Sequence, residues 1–265
     1  MNSGDWQPSR ELDSFRTIWQ GGYYEGDPLD PLSRSSYRAL NWISTLHATY
    51  LCCIKPYVGP ETVALEIGPG RGCWTRSMLG AKKIYALDAL SAEHNGIFDY
   101  LGNPANVEYH QVADFECKMI DDNEIDFLFS FGCLCHVSFE GISAYAKNLF
   151  PKLKSGAQCF WMIADYEKYN SAMQGLNEHH MRVVDSLLPY SRLWYIVRSR
   201  IQKGLARVQT PQIDVEETDN TPSAGRWFNS GIKRSTAMLA EVGYEILDED
   251  VGTNLRDPII HFRKP

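Results

Sequence analysis

Several features that would settle a function class early are missing from this chain. No run approaches the roughly 18 to 20 apolar residues that a membrane span requires, and no segment repeats or falls into low complexity. Positive charge is scarce: 26 Lys and Arg face 33 Asp and Glu, for a net charge of −7. Nucleic acid is therefore not expected as a partner, because phosphate binding draws on an excess of Lys and Arg. The seven cysteines are odd in number and show neither CxxC nor disulfide-like spacing. Cys133, Cys135 and His136 are close together but match no common zinc pattern. Reduced thiols are expected, several of them acting as small core residues. The opening MNSGDWQPSRELDSF is polar and mixed in charge, unlike a secretory leader. These absences point to a cytoplasmic protein without membrane attachment, as a monomer or homodimer.

The 265 residues, 44% apolar and 22% charged, suffice for one substantial domain with an elaboration, or for two small ones. Residues 1–33 are rich in Gly, Pro, Asp and aromatics (WQGGYYEGDPLDPLS), which suggests an irregular arm. In 35–54, Leu40, Ile43, Leu46, Tyr50 and Ile54 recur every three or four residues, the pattern of a helix with one apolar face. A regular alternation follows. Strands are expected at 62–67, 83–88, 107–112, 125–131 and 157–165, with helices at 73–79, 91–101 and 139–156. The last of these helices is read as closing in a Lys-rich, glycine-terminated end. Residues 166–226 break the rhythm over a length too great for a plain connection. The alternation resumes with a helix at 231–243 and strands at 244–250 and 258–263. The resulting division is an arm and helix (1–57), a core (58–165), an inserted cap (166–226) and a return to the core (227–265). Strands alternating with helices imply a parallel sheet covered on both faces.

Ligands of such sheets bind beyond the carboxyl ends of the strands. There, between strand one and its helix, lies LEIGPGRGCW (65–74), with glycines at 68, 70 and 72. Glycines allow positive φ and let a ligand approach the backbone closely. A dinucleotide loop, G-x-G-x-x-G, would need glycine at 73, where Cys73 stands. Glu66, at the end of strand one, would repel a pyrophosphate but attract an ammonium group. Asp88 ends strand two, where a carboxylate can accept from both hydroxyls of a ribose. Asp114 follows strand three and could accept from an adenine amino group, with Phe115 as an apolar wall. An amino acid, a ribose and an adenine across three strand ends describe S-adenosylmethionine.

VALEIGPGRG, IYALDAL, VADF and IDFLFSFGCLCH resemble the successive motifs of the class I S-adenosylmethionine-dependent methyltransferases, over about residues 62–165 and again in the final helix and strands. The resemblance implies a three-layer α/β sandwich whose seven-stranded sheet is mostly parallel, with the last strand antiparallel. It implies S-adenosylmethionine as cofactor and S-adenosylhomocysteine as product. By position, Glu66, Gly68 and Gly70 would line the methionine moiety, Asp88 with neighbouring Ala89 the ribose, and Asp114 with Phe115 the adenine. Phe131 and Gly132 would pass under the cofactor.

Methyl transfer to a hydroxyl needs alignment and removal of a proton. His136, just past strand four, has an ordinary pKa suited to a general base; ordering the loop or capping the next helix is the alternative. Asp165, ending strand five, could be a second base, orient a hydroxyl, or be structural. His179 and His180 in the cap, then Trp227 and Asn229 where it returns, are weaker candidates. The family's base-methylating members carry [DNS]-P-P-[YFW] after strand four, where this chain reads SFGC, so N-methylation of a nucleic acid is disfavoured. The family's metal-dependent members need an aspartate there; none is present and no metal is expected. A small hydroxylated acceptor remains. The aromatics and polar groups of WQGGYYEGDP and SRLWYIVRSR suit a sugar, glycan or nucleotide-linked metabolite; burying the arm against the core is the alternative. The chain is loosely similar to bacterial methyltransferases encoded with polysaccharide- or sugar-modifying enzymes. A protein or nucleic acid acceptor, or a non-catalytic binding module of the same fold, are the alternatives.

Overall fold

A computed structural model of the chain describes residues 6–33, 44–175, 201 and 227–265. Seven strands form one sheet: β1 Val63–Ile67, β2 Lys83–Asp88, β3 Val107–Gln111, β4 Ile125–Ser130, β5 Leu153–Met162, β6 Glu245–Asp248 and β7 Ile259–Arg263. Their spatial order is β3-β2-β1-β4-β5-β7-β6. The first five run parallel, and β7 is antiparallel to both neighbours. The expected architecture, a mostly parallel seven-stranded sheet with an antiparallel last strand, is the one present.

The central strands are apolar on both faces because helices cover both. Leu65, Leu128 and Trp161 pack into one buried cluster, while Ala64, Phe127 and Phe160 pack into another. The covering helices are α1 Pro8–Ile18, α2 Thr45–Thr49, α3 Cys73–Ser77, α4 Ala92–Asn95, α5 Ile97–Leu101, α6 Phe139–Leu149, α7 (166–175) and α8 Ile232–Val242. A wider turn continues α2 through Ile54. Among the described residues no helix is long and apolar enough to cross a membrane.

Four local expectations need correction. The N-terminal arm is not irregular throughout, since it contains α1. Pro8 opens that helix with its φ already set, and Leu12, Phe15 and Trp19 share a face. The helix expected at 91–101 is broken at Gly96, which takes a left-handed φ of 61° between α4 and α5. The helix expected to run to 156 ends at Leu149, because Pro151 cannot continue it. Strand β5 therefore begins at Leu153, which is buried and paired with Ile125, and it ends at Met162 rather than 165. Lys152 and Lys154 serve Asp122 and Asp126 at 2.8 Å instead of a helix terminus. Of the expected cap, only α7 and Ile201 are described; His179, His180 and SRLWYIVRSR lie outside the described residues, as do Leu40 and Ile43.

Candidate functional site

Strand β1 is buried along its whole length and ends in the glycine loop. Gly68 has φ +74°, and a Cβ there would lie 2.3 Å from the Cβ of Cys133 in the loop after β4. Only a glycine lets those two loops meet. Its amide donates to the Leu87 carbonyl of β2 (2.8 Å), so the ends of three strands are drawn together. The Gly70 amide donates to Asp88 Oδ2 (3.2 Å) and the Leu90 amide to Oδ1 (2.9 Å). Burial pushes the Asp88 carboxyl above its ordinary range, and these amide donors pull against it.

The arm closes over these strand ends. Glu11 of α1 is buried and accepts from the Ser138 amide (2.6 Å), the Ser138 hydroxyl (2.7 Å) and Trp6 Nε1 (2.7 Å). Arg16 Nε donates to the Ala89 carbonyl (3.1 Å), and the Gly22 amide donates to Asn95 Oδ1 (3.1 Å). Between arm and sheet lies a cavity open to solvent on one side. Leu12, Phe15, Trp19 and Tyr23 supply the arm's side of its wall.

Of the residues singled out in the sequence, Gly68, Gly70, Asp88, Ala89, Gly132 and His136 line this cavity together. His136 sits in a tight turn, Leu134–His136, its ring edge-on to Trp19 at 5.2 Å. The others are elsewhere. Glu66 is buried behind the loop and accepts from Thr75 Oγ1 at 2.6 Å. Burial pushes its carboxyl up to about 8; the Thr75 bond opposes this and the Asp88 charge adds to it. Asp114 accepts from the Glu116 amide (2.9 Å) in a local turn. Phe115 is buried between Tyr145, edge-on at 4.7 Å, and Trp6, stacked at 5.7 Å. Phe131 packs on Trp74 at 4.7 Å. Asp165 Oδ1 accepts from the Lys168 amide of α7 and Oδ2 from the Ile232 amide of α8, both at 2.8 Å, so it caps two helices. Asn229 accepts from the Tyr166 amide (3.2 Å), and Trp227 donates to Asp257 (2.9 Å). Among the described residues no three His, Cys, Asp or Glu are grouped to hold a metal ion.

Trp19 and Tyr23 belong to the arm stretch that the sequence pointed to, whereas Leu12 and Phe15 escaped sequence reasoning, although with Trp19 they carry a helical spacing.

No protein-family model and no curated protein matches the sequence. Solved structures do match the fold. A Listeria monocytogenes protein assigned as an S-adenosylmethionine-dependent methyltransferase is 13% identical, with 83% of this chain and 98% of that one covered and a TM-score of 0.52. The cyclopropane synthase MmaA2 of Mycobacterium tuberculosis is also 13% identical, with 92% and 78% covered and a TM-score of 0.52. A possible exported protein from Bordetella parapertussis is 14% identical, with 98% and 80% covered and a TM-score of 0.52. The chain thus has the Rossmann-like α/β fold found in methyltransferases.

Proposed function

We propose that the chain is an S-adenosylmethionine-dependent methyltransferase that methylates a hydroxyl of a small molecule, with a sugar or glycan precursor as the acceptor class. The observation that carries this reading is the convergence of Gly68, Gly70, Asp88 and Gly132, from the ends of three strands, on one cavity. The residues fit the cofactor. Gly68 and Gly70 line the cavity, their left-handed φ letting the Cys133 loop and the arm at Tyr23 pack against them. Asp88 lines the cavity with a carboxyl of the kind a ribose diol requires as acceptor. Leu12, Phe15, Leu90 and Val137 offer apolar surface for an adenine. The Asp88 carboxyl in the lining disfavours a polyphosphate.

When bound, the sulfonium supplies an electrophilic methyl group. The protein's part is to align the acceptor and take its proton. We assign the proton to a ring nitrogen of His136, whose ring Trp19 holds edge-on. Asp165, with both oxygens on helix N-termini, positions the end of β5. Residues 166–226 are assigned to the acceptor side, over a core of 58–165 and 227–265. Tyr23, exposed and part of the lining, suits stacking on a sugar ring.

Calorimetric titration with S-adenosylmethionine and S-adenosylhomocysteine, followed by transfer assays on sugars and nucleotide sugars, tests the reading. Micromolar binding with turnover on a hydroxylated acceptor is expected; no binding would refute it. His136→Ala is expected to lower turnover about 100-fold or more with product affinity intact, and a fully active variant would leave His136 a structural role.

A further inference from the structure

The arm brings a second carboxyl to the glycine loop. The Tyr23 carbonyl accepts from the Arg71 amide (3.1 Å), which pins the arm along the loop. Two residues on, Glu25 Oε2 accepts a long hydrogen bond from Trp74 Nε1 (3.3 Å). Its other oxygen, Oε1, is buried and has no hydrogen-bond partner among the described residues. That oxygen faces the bare Cα of Gly132, where a Cβ would come within 2.4 Å of it and 4.0 Å of the Tyr23 ring. Gly132 and Tyr23 line the cavity, and Glu25 Oε1 lies directly behind the side-chain-free Gly132.

A buried carboxyl oxygen without a donor is costly, and its persistence calls for a ligand that supplies one. Among the described residues no Lys or Arg forms an ion pair with Glu25. Arg256, whose charge acts on Glu25, is paired with Asp257 at 2.5 Å. Glu66, which the sequence offers to an ammonium group, is engaged by Thr75.

We propose that Glu25, rather than Glu66, is the counter-charge for the amino group of the cofactor's amino-acid moiety, an inference that rests on the cofactor reading above. An ammonium group carries three donors and no acceptor, which matches an oxygen that lacks a donor. The groups acting on Glu25 agree with this. Burial pushes its carboxyl up to about 8, opposed by the Trp74 hydrogen bond and Arg256 and reinforced by Asp257 and Glu66. A cation that draws Glu25 into its carboxylate form therefore releases a proton at neutral pH.

The test is calorimetry at pH 7, in two buffers of different ionisation enthalpy, with S-adenosylhomocysteine and its desamino analogue. Wild type, Glu25→Gln and Glu66→Gln are compared. Glu25→Gln is expected to weaken S-adenosylhomocysteine by about 10- to 100-fold, the range of a buried charge-assisted hydrogen bond. It should leave the desamino analogue unchanged, which also shows that the variant is folded, and proton release should disappear. Equal binding of S-adenosylhomocysteine by Glu25→Gln and wild type would overturn the assignment, as would equal weakening of both ligands. A loss confined to Glu66→Gln would return the role to Glu66. Failure of wild type to bind either ligand would instead overturn the cofactor reading, and the inference with it.

Discussion

Asp88 and Glu66 are two carboxyls at neighbouring strand ends with opposite surroundings. Asp88 lines the cavity and holds two backbone amides. Asp88→Ala is expected to weaken S-adenosylhomocysteine at least about 100-fold, the loss of two hydrogen bonds to a charged acceptor, while circular dichroism stays that of a folded chain. Unchanged affinity would refute the ribose assignment. Glu66 lies behind the loop, and burial holds its folded pKa near 8, above its ordinary 4.5. Between those values the folded state binds more protons than the unfolded one, so stability falls as pH rises from about 4.5 to 8 and levels off beyond. Urea midpoints from pH 5 to 9 should show this decline, made shallower by Glu66→Gln; an unaltered slope would assign the effect to other groups. At this scale the sequence shows residue type and place at a strand end. It does not show direction, because Thr75, nine residues on, decides where the Glu66 carboxyl is held.

Helices and strands show the same division. Alternation of apolar runs located β1, β2 and β4 almost to the residue, since strands buried on both faces carry their own signature. The boundary after α6 was not legible that way. Lys152, Lys154 and Gly156 resemble a helix end, but the ladder with β4 claims Leu153 as a strand residue. α1 was obscured by composition, because the Gly-rich stretch that follows it begins at Gly21. Asp165 belongs here through the two helices it caps. Asp165→Ala leaves amides of both α7 and α8 without their acceptor, and is expected to cost about 1 to 2 kcal/mol of unfolding free energy. Product affinity should be retained. A variant of wild-type stability that loses turnover would restore Asp165 to the chemistry.

For the whole molecule, arm and sheet enclose the cavity jointly, so a ligand held there couples to global stability. S-adenosylhomocysteine at 100 times its dissociation constant should stabilise the folded state by about 2.7 kcal/mol, measured by denaturant titration; Asp88→Ala at the same concentration should show almost none of this gain. The sequence by itself determined the sheet, its antiparallel last strand and the strand ends that gather Gly68, Gly70, Asp88 and Gly132. The strands and their ends follow from local periodicity and from the right-handed crossovers of parallel strands, whereas the antiparallel last strand was implied by the resemblance to the methyltransferases. Only the tertiary structure decided what closes the cavity and where the Glu66 and Glu25 carboxyls are held. Glu11 meets Ser138 across 127 positions, Gly22 meets Asn95 across 73 and Glu25 meets Trp74 across 49. Contacts at such separations depend on the packed sheet that brings their partners together, and no local pattern in the chain encodes them.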